Sequence, residues 1–198
     1  MYDTINNSQH CQRNWDLTQQ VKKEDLDLII HTFTNAPSKQ STAFYKVHIV
    51  TNRDIMKKIY DLTETVQDSG MFNSQVLANV LLVFQKIDTS DDHKERVKLW
   101  QGPEDVNRDY YMSIGIATGM TTIVANNLGY RTGFCACFNP KKVAEVMGLS
   151  KSNFDVVVTL GIGLPDKTKN YWEGHVEEPS PRIQRVTPKE TIEVNYID

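Results

Sequence analysis

Asp109 to Leu128, DYYMSIGIATGMTTIVANNL, is the longest helical stretch in this sequence of 198 residues. Ile114, Ile116, Ala117, Met120, Ile123 and Val124 spread apolar groups over most of its circumference. Gly115 and Gly119, four apart, leave a smooth groove that a second helix can approach. A helix apolar almost all round belongs in a large core or in a subunit interface. A chain of this length buries roughly 70 % of its extended surface, which leaves little room for the first. The stretch therefore predicts an obligate dimer built around it, with Gly129 as the helix C-cap.

Working outward, Leu26, Ile29, Ile30 and Phe33 form the stripe of an amphipathic helix that Pro37 prevents from continuing. Tyr45, Val47 and Ile49 alternate with Lys46 and His48, as in a half-buried strand. Thr51 to Asp54 reads as a capping-box-like start for a helix carrying Ile55, Ile59, Leu62 and Val66. Val80 to Phe84 and Phe154 to Leu160 are continuous apolar runs of strand length, covered on both faces. Asn139-Pro140 opens a further helix as N-cap and N1, and Gly148 ends it. Ile192, Val194 and Tyr196 alternate after a proline-rich connector, so that the extension 182–198 reads as a strand reaching a partner's sheet. Residues 86–108, charged from Lys86 to Lys98 and ending in Leu99-Trp100 and Gly102-Pro103, read as a solvated excursion or flap. Helices and strands alternate without a regular βαβ repeat. The reading is one α+β domain over 1–198, a mixed or antiparallel sheet flanked by helices, in an obligate homodimer with C-terminal strand exchange.

Composition excludes several function classes. Net charge is −3 and the isoelectric point about 6.0, so no global field recruits nucleic acid or anionic lipid. No apolar run approaches the ~20 residues that cross a bilayer, and the polar N-terminus lacks a signal peptide's apolar centre, so a cytoplasmic location is expected. Three cysteines, an odd number, then read as reduced thiols.

The motifs that carry chemistry are few. Gly161-Ile162-Gly163 resembles a dinucleotide fingerprint but is followed by Leu164-Pro165-Asp166 where a third glycine and a helix start are required. Cys135 and Cys137 would share one face of a strand, but with no second Cys/His pair they make a poor zinc site, and no metal is expected. The loop Asn35-Ala36-Pro37-Ser38-Lys39-Gln40-Ser41, a polar helix-to-strand corner stiffened by one proline, is suited either to a plain turn or to presenting several hydrogen bonds to a flat polar ligand. Its company favours the ligand: Gln9-His10-Cys11-Gln12-Arg13 before it, Phe72-Asn73 and Phe134-Cys135-Ala136-Cys137-Phe138 after it, and Arg182 and Arg185 near the end.

In this order and spacing the segments resemble the FMN-dependent nitroreductase family, over nearly the whole chain. The resemblance implies a homodimer holding two FMN molecules at its interface, each touched by both subunits. It implies ping-pong chemistry, in which NAD(P)H delivers hydride to the flavin and an oxidised acceptor (a nitroaromatic, a quinone or similar) then takes its place. Carried over by position, Gln9, His10, Cys11 and Arg13 match the N-terminal flavin motif, with Arg13 as its cation. Pro37, Ser38, Lys39 and Ser41 match the loop lining the isoalloxazine and ribityl chain, and Asn73 an amide for the pyrimidine edge. Ala136-Cys137 falls where the family has a Glu-Gly pair, so the Cys137 backbone N–H is the expected neighbour of flavin N5, and Cys135 is expected beside them in the cofactor site. Arg185, with Arg182 beside it, matches the phosphate arginine, whose fork suits a phosphate's oxygens. Phe72, Trp100, Tyr110 and Tyr111 are expected to wall the substrate pocket. No side chain is expected to be catalytic in its own right, because the flavin does the chemistry. The alternative from another class is a flavin-binding protein without efficient reductase turnover, since Gln9, Cys11 and Ala136 depart from the family's pattern.

Overall fold

A computed structural model describes residues 1–64, 70–87, 105–149 and 156–170, together with 91, 95 and 196. Four strands, β1 (Tyr45–Val50), β2 (Val80–Lys86), β3 (Arg131–Cys135) and β4 (Val156–Gly163), form one sheet in the order β1-β2-β4-β3. Every pairing is antiparallel, so of the two sheet types expected the antiparallel one is observed. Helices α1 (Tyr2–Ser8), α2 (Lys23–Thr34), α3 (Arg53–Asp61), α4 (Asp105–Asn127) and α5 (Pro140–Val146) accompany it, with 3-10 turns at Lys39–Ser41 and Ser74–Leu77.

The apolar run in β2 follows from its central place. Leu81 and Val83 enter a core with Met56 and Ile59 of α3, Val143 of α5, Trp15 and Cys135. Val80, Leu82 and Phe84 face the other way, into a core with Ile29 and Phe33 of α2, Ile114 and Ala117 of α4, and Leu160 and Ile162 of β4. A strand covered on both faces has no use for polar alternation. At ~25 cal/mol per Å² of apolar area, each large aliphatic side chain fully buried there contributes roughly 1.5–3 kcal/mol.

Helix ends follow local chemistry. The α2 stripe ends at Thr34, three residues before Pro37. Asn52, rather than a Thr51–Asp54 box, caps α3, its side-chain oxygen accepting from the Asp54 and Ile55 amides. That helix stops at Asp61, with Leu62 as its C-cap, and Val66 lies outside the described residues. Gly129 closes α4 at φ +94°, with Tyr130 N–H donating to Ala125 O (3.0 Å) and Gly129 N–H to Asn126 O (3.1 Å), a paired Schellman closure. At the start of α5 the Asn139 side-chain oxygen accepts from the Lys141 and Lys142 amides, and Gly148, at φ +70°, closes its end.

Two expectations need correction. Helix α4 begins at Asp105, so the excursion read over 86–108 overlaps it, and Lys86 belongs to β2 and is buried. The second concerns how far one chain covers α4, which lies within it on one side only. Its sheet-facing side carries Tyr110, Ser113, Ile114, Ala117, Thr118 and Thr121, the threonine hydroxyls turned back onto Ile114 O (2.8 Å) and Ala117 O (2.7 Å). Its other side, with Met112, Ile116 and Met120 at 45, 38 and 39 % exposure, is uncovered in the single chain. The expected C-terminal strand, apart from Tyr196, together with Trp100, Arg182 and Arg185, lies outside the described residues.

Candidate functional site

Gly133 of β3 and Gly161 of β4 face each other across the sheet. With no side chain at either, two further segments lie down on this patch. A Cβ on Gly133 would stand 2.6 Å from Gln12 O, and one on Gly161 would enter the Gln75 carbonyl oxygen. The first segment, Cys11 to Asp16, runs along β3 and β4: Gln12 N–H donates to Thr132 O (2.9 Å), Trp15 bridges Pro165, and Asp16 N–H donates to Leu164 O (2.8 Å). The second is the 3-10 turn Ser74–Leu77. Trp15 Nε1 donates to Ser74 O (2.9 Å), and Ser74 Oγ donates to Arg13 O (2.8 Å). From behind, Arg53 Nη1 of α3 donates to Leu77 O (2.6 Å) and steadies the same turn.

This packing brings Cys11, Arg13, Asn73, Cys135, Ala136 and Cys137 to one place, although sequence separates them by up to 126 positions. Cys11 Sγ lies 4.0 Å from Phe134 O, and Gln75 Nε2 donates to the same oxygen at 3.4 Å. Arg13 follows the end of α1 rather than sitting on the first helix. Asn73 is buried, with its N–H on Thr63 Oγ1 and its Nδ2 on Thr63 O, both 2.9 Å, so its amide donor is turned inward. Phe72 is half-buried against Tyr60, ring centroids 5.0 Å apart. Cys135 and Cys137 do not share a strand face: β3 ends at Cys135, which is buried, and Cys137 lies beyond it, exposed. Burial pushes the Cys135 thiol up to about 12; the neighbouring Cys137 and Cys11 thiols add to this, and the Cys137 backbone N–H and Arg13 oppose it. Gln9, His10 and Ala136 are exposed.

The loop at Pro37–Ser41 forms a second group. Gln40 and Ser41 hold φ +55° and +54°, the left-handed region that residues with a Cβ seldom occupy. Ser38 Oγ donates to Thr42 O (2.8 Å), and Lys39 Nζ pairs with Asp109 Oδ2 of α4 at 2.9 Å. Pro37, Ser38 and Ser41 line a cleft of about 680 Å³ with Phe33, Ala36 and Tyr45. Tyr110, expected in a pocket wall, is instead buried edge-on against Phe44, ring centroids 5.7 Å apart. Tyr111 is exposed, and its hydroxyl accepts from Lys86 Nζ (2.8 Å), which also lies 4.2 Å from the centre of its ring.

The two groups pack on opposite faces of the sheet. Ala36 and Tyr45 belong with the α2/α4 core, and Trp15, Val76 and Cys135 with the α3/α5 core. A larger cleft of about 760 Å³, lined by Asp16, Thr18, Arg131, Asp166 and Thr168, contains none of the expected site residues. Sequence reasoning missed Gln75, Lys86 and Asp109. Only Asp109 carried a signal, since it shares with Ser113 and Ala117 the i, i+4 spacing of one helix face. Among the described residues no His, Cys, Asp and Glu group is arranged to hold a metal ion. None of the described helices is long and apolar enough to cross a membrane.

The nitroreductase family model matches residues 8–164. A nitroreductase family protein from Clostridium novyi superimposes with a TM-score of 0.67 at 22 % identity, covering 88 % of this chain and 91 % of that one. An FMN-dependent nitroreductase from Clostridium difficile gives 0.61 at 17 % identity, covering 87 % and 92 %. A structure from Exiguobacterium sibiricum in complex with FMN gives 0.65 at 16 %, covering 92 % of each chain. At these identities the likeness concerns the fold. Among curated proteins none matches the chain.

Proposed function

The chain belongs to the nitroreductase family, and on that premise we propose that it is an FMN-dependent NAD(P)H oxidoreductase, active as a homodimer on a nitroaromatic, quinone or similar acceptor. The observation that carries this reading is the convergence of Cys11–Arg13, Asn73–Gln75 and Cys135–Cys137 on the Gly133/Gly161 patch. The residues present fit a flavin. Gln75 Oε1 is buried without a hydrogen-bond partner, an acceptor suited to the N–H of a pyrimidine edge. Arg13 supplies a half-buried side chain ending in a guanidinium, and Ser38 and Ser41 line a cleft. When bound, FMN supplies hydride acceptance and donation between the nicotinamide and the acceptor. Around it the chain's part is to bind and orient. Gln75 would hold the ring edge, Arg13 an anionic portion of the cofactor, and the buried Trp15–Ser74 contact keeps water from beneath both.

Two observations support the dimer. The single chain divides the expected flavin residues between opposite sheet faces, and a second copy would bring the loop group of one chain to the Arg13 group of the other. The uncovered side of α4 offers Met112, Ile116 and Met120, with open space around Gly115 and Gly119. The inward-turned amide of Asn73 and the paired Lys39 favour the second reading, a flavin binder without efficient turnover. Purified chain mixed with FMN under anaerobic conditions separates them. Bleaching of bound flavin by NADPH or NADH supports the reductase, bound flavin that stays oxidised supports the binder, and no uptake of FMN removes both.

A further inference from the structure

We infer that Asp109 is a positioning residue: acting through Lys39, it holds the Pro37–Thr42 loop in its left-handed conformation. The relevance of that conformation to flavin rests on the reading above. Two successive residues with a Cβ, Gln40 and Ser41, sit at φ near +55°, which isolated chains avoid, so the surroundings must over-determine the loop. Within the loop, Ser41 N–H donates to Ser38 O (3.2 Å), Thr42 N–H to Lys39 O (3.1 Å) and Ser38 Oγ to Thr42 O. These bonds close the turn on itself.

Consecutive residues of α4 tie it to the body of the fold. Asp109, 1 % exposed, pairs with Lys39 inside the turn. Tyr110 packs edge-on against Phe44, fully buried two residues beyond it. A carboxylate with so little water around it favours its paired geometry, so it fixes where the Lys39 ammonium sits. It also occupies the Lys39 ammonium, so the loop presents Ser38 and Ser41 rather than a mobile cation.

Asp109→Asn removes the carboxylate and keeps its shape, and Lys39→Gln removes the ammonium while leaving α4 untouched. Two quantities are read for each variant and for the double variant: hydrogen exchange of the residue 38–42 amides without flavin, and FMN affinity from quenching of flavin fluorescence. The inference expects loop exchange to rise by about tenfold or more in either variant, the scale of one charge-assisted hydrogen bond, with β2 and β4 amides unmoved. It expects FMN Kd to rise by a similar factor, and the double variant to match the singles rather than multiply them. Unchanged loop exchange in Asp109→Asn overturns it, as does multiplicative loss in the double variant. A Lys39→Gln loss more than about tenfold beyond that of Asp109→Asn also overturns it, because Lys39 would then touch flavin itself. If Asp109→Asn does not fold, exchange in Lys39→Gln decides. Failure of the wild-type chain to bind FMN removes the functional reading and leaves the exchange arm to judge the loop.

Discussion

Replacing Gly161 by Ala adds one methyl group at the point where the 3-10 turn meets the sheet. The new Cβ would enter the Gln75 carbonyl oxygen and lie 2.9 Å from Ala78 Cβ. Neither obstacle is the free end of a flexible side chain. Gly161 is paired with Leu81 on one side and Gly133 on the other, so the strand has little freedom to retreat. The turn must therefore rise, and with it the Trp15 Nε1–Ser74 O and Ser74 Oγ–Arg13 O bonds. Overpacking costs typically ~1–3 kcal/mol, and a backbone obstacle places this case at about 3. In a domain of this size each 1 kcal/mol moves Tm by roughly 2–4 °C, so a fall of about 6–12 °C is expected. Thermal melting followed by circular dichroism measures it, and a flavin titration of the folded variant should show weaker FMN binding. A variant melting within 2 °C of wild type with undiminished FMN affinity would refute the claim that a bare Gly161 seats the turn.

Arg13→Ala should raise the FMN Kd by about 10- to 100-fold if its guanidinium bonds the cofactor, each such bond contributing roughly 1.5–3 kcal/mol; equilibrium dialysis checks this, and an unchanged Kd removes Arg13 from the site. In the native chain at pH 8, a disulfide reagent should modify exposed Cys137 promptly and leave buried Cys135 untouched, counted by mass spectrometry after digestion. The sign of the Cys135 shift also sets a pH dependence. Because its folded value is raised from an ordinary 9.0 to about 12, the unfolded chain loses that proton first. Stability from this group is full below about 9 and declines as pH rises toward 12, and Cys135→Ser should flatten that decline in urea titrations. Gly115→Leu should turn a dimer into monomer with intact helix content; a light-scattering mass unchanged from wild type would clear that face of α4 of any interface role.

What could be read from sequence was the local periodicity. The Leu26–Phe33 stripe, the Val80–Phe84 run and the Asn139-Pro140 cap are decided within a few residues of themselves, and each reappears in the fold. Gly161-Ile162-Gly163 could be read only as a failed phosphate loop, because the reason for its glycines, the Gln75 carbonyl above, lies 86 positions away. Lys86 fails in the opposite sense. It opens a charged run, yet the strand it ends is buried, and two tyrosines 24 and 25 positions later surround its ammonium. The expected site residues were chosen by resemblance, and their clustering depends on how the Cys11–Asp16 segment crosses β3, which no local pattern announces.

The bare glycine patch also fixes an order of events during synthesis. Its lower half, Gly161, is among the last of the described residues to leave the ribosome, whereas the two segments that rest on it are made far earlier. Until β4 pairs with β2 and β3, Gln75 and Arg13 have nothing to settle against. Chains halted before residue 163 should therefore leave the Cys11–Asp16 segment and the Ser74–Leu77 turn unseated, and limited proteolysis of such chains should cut both.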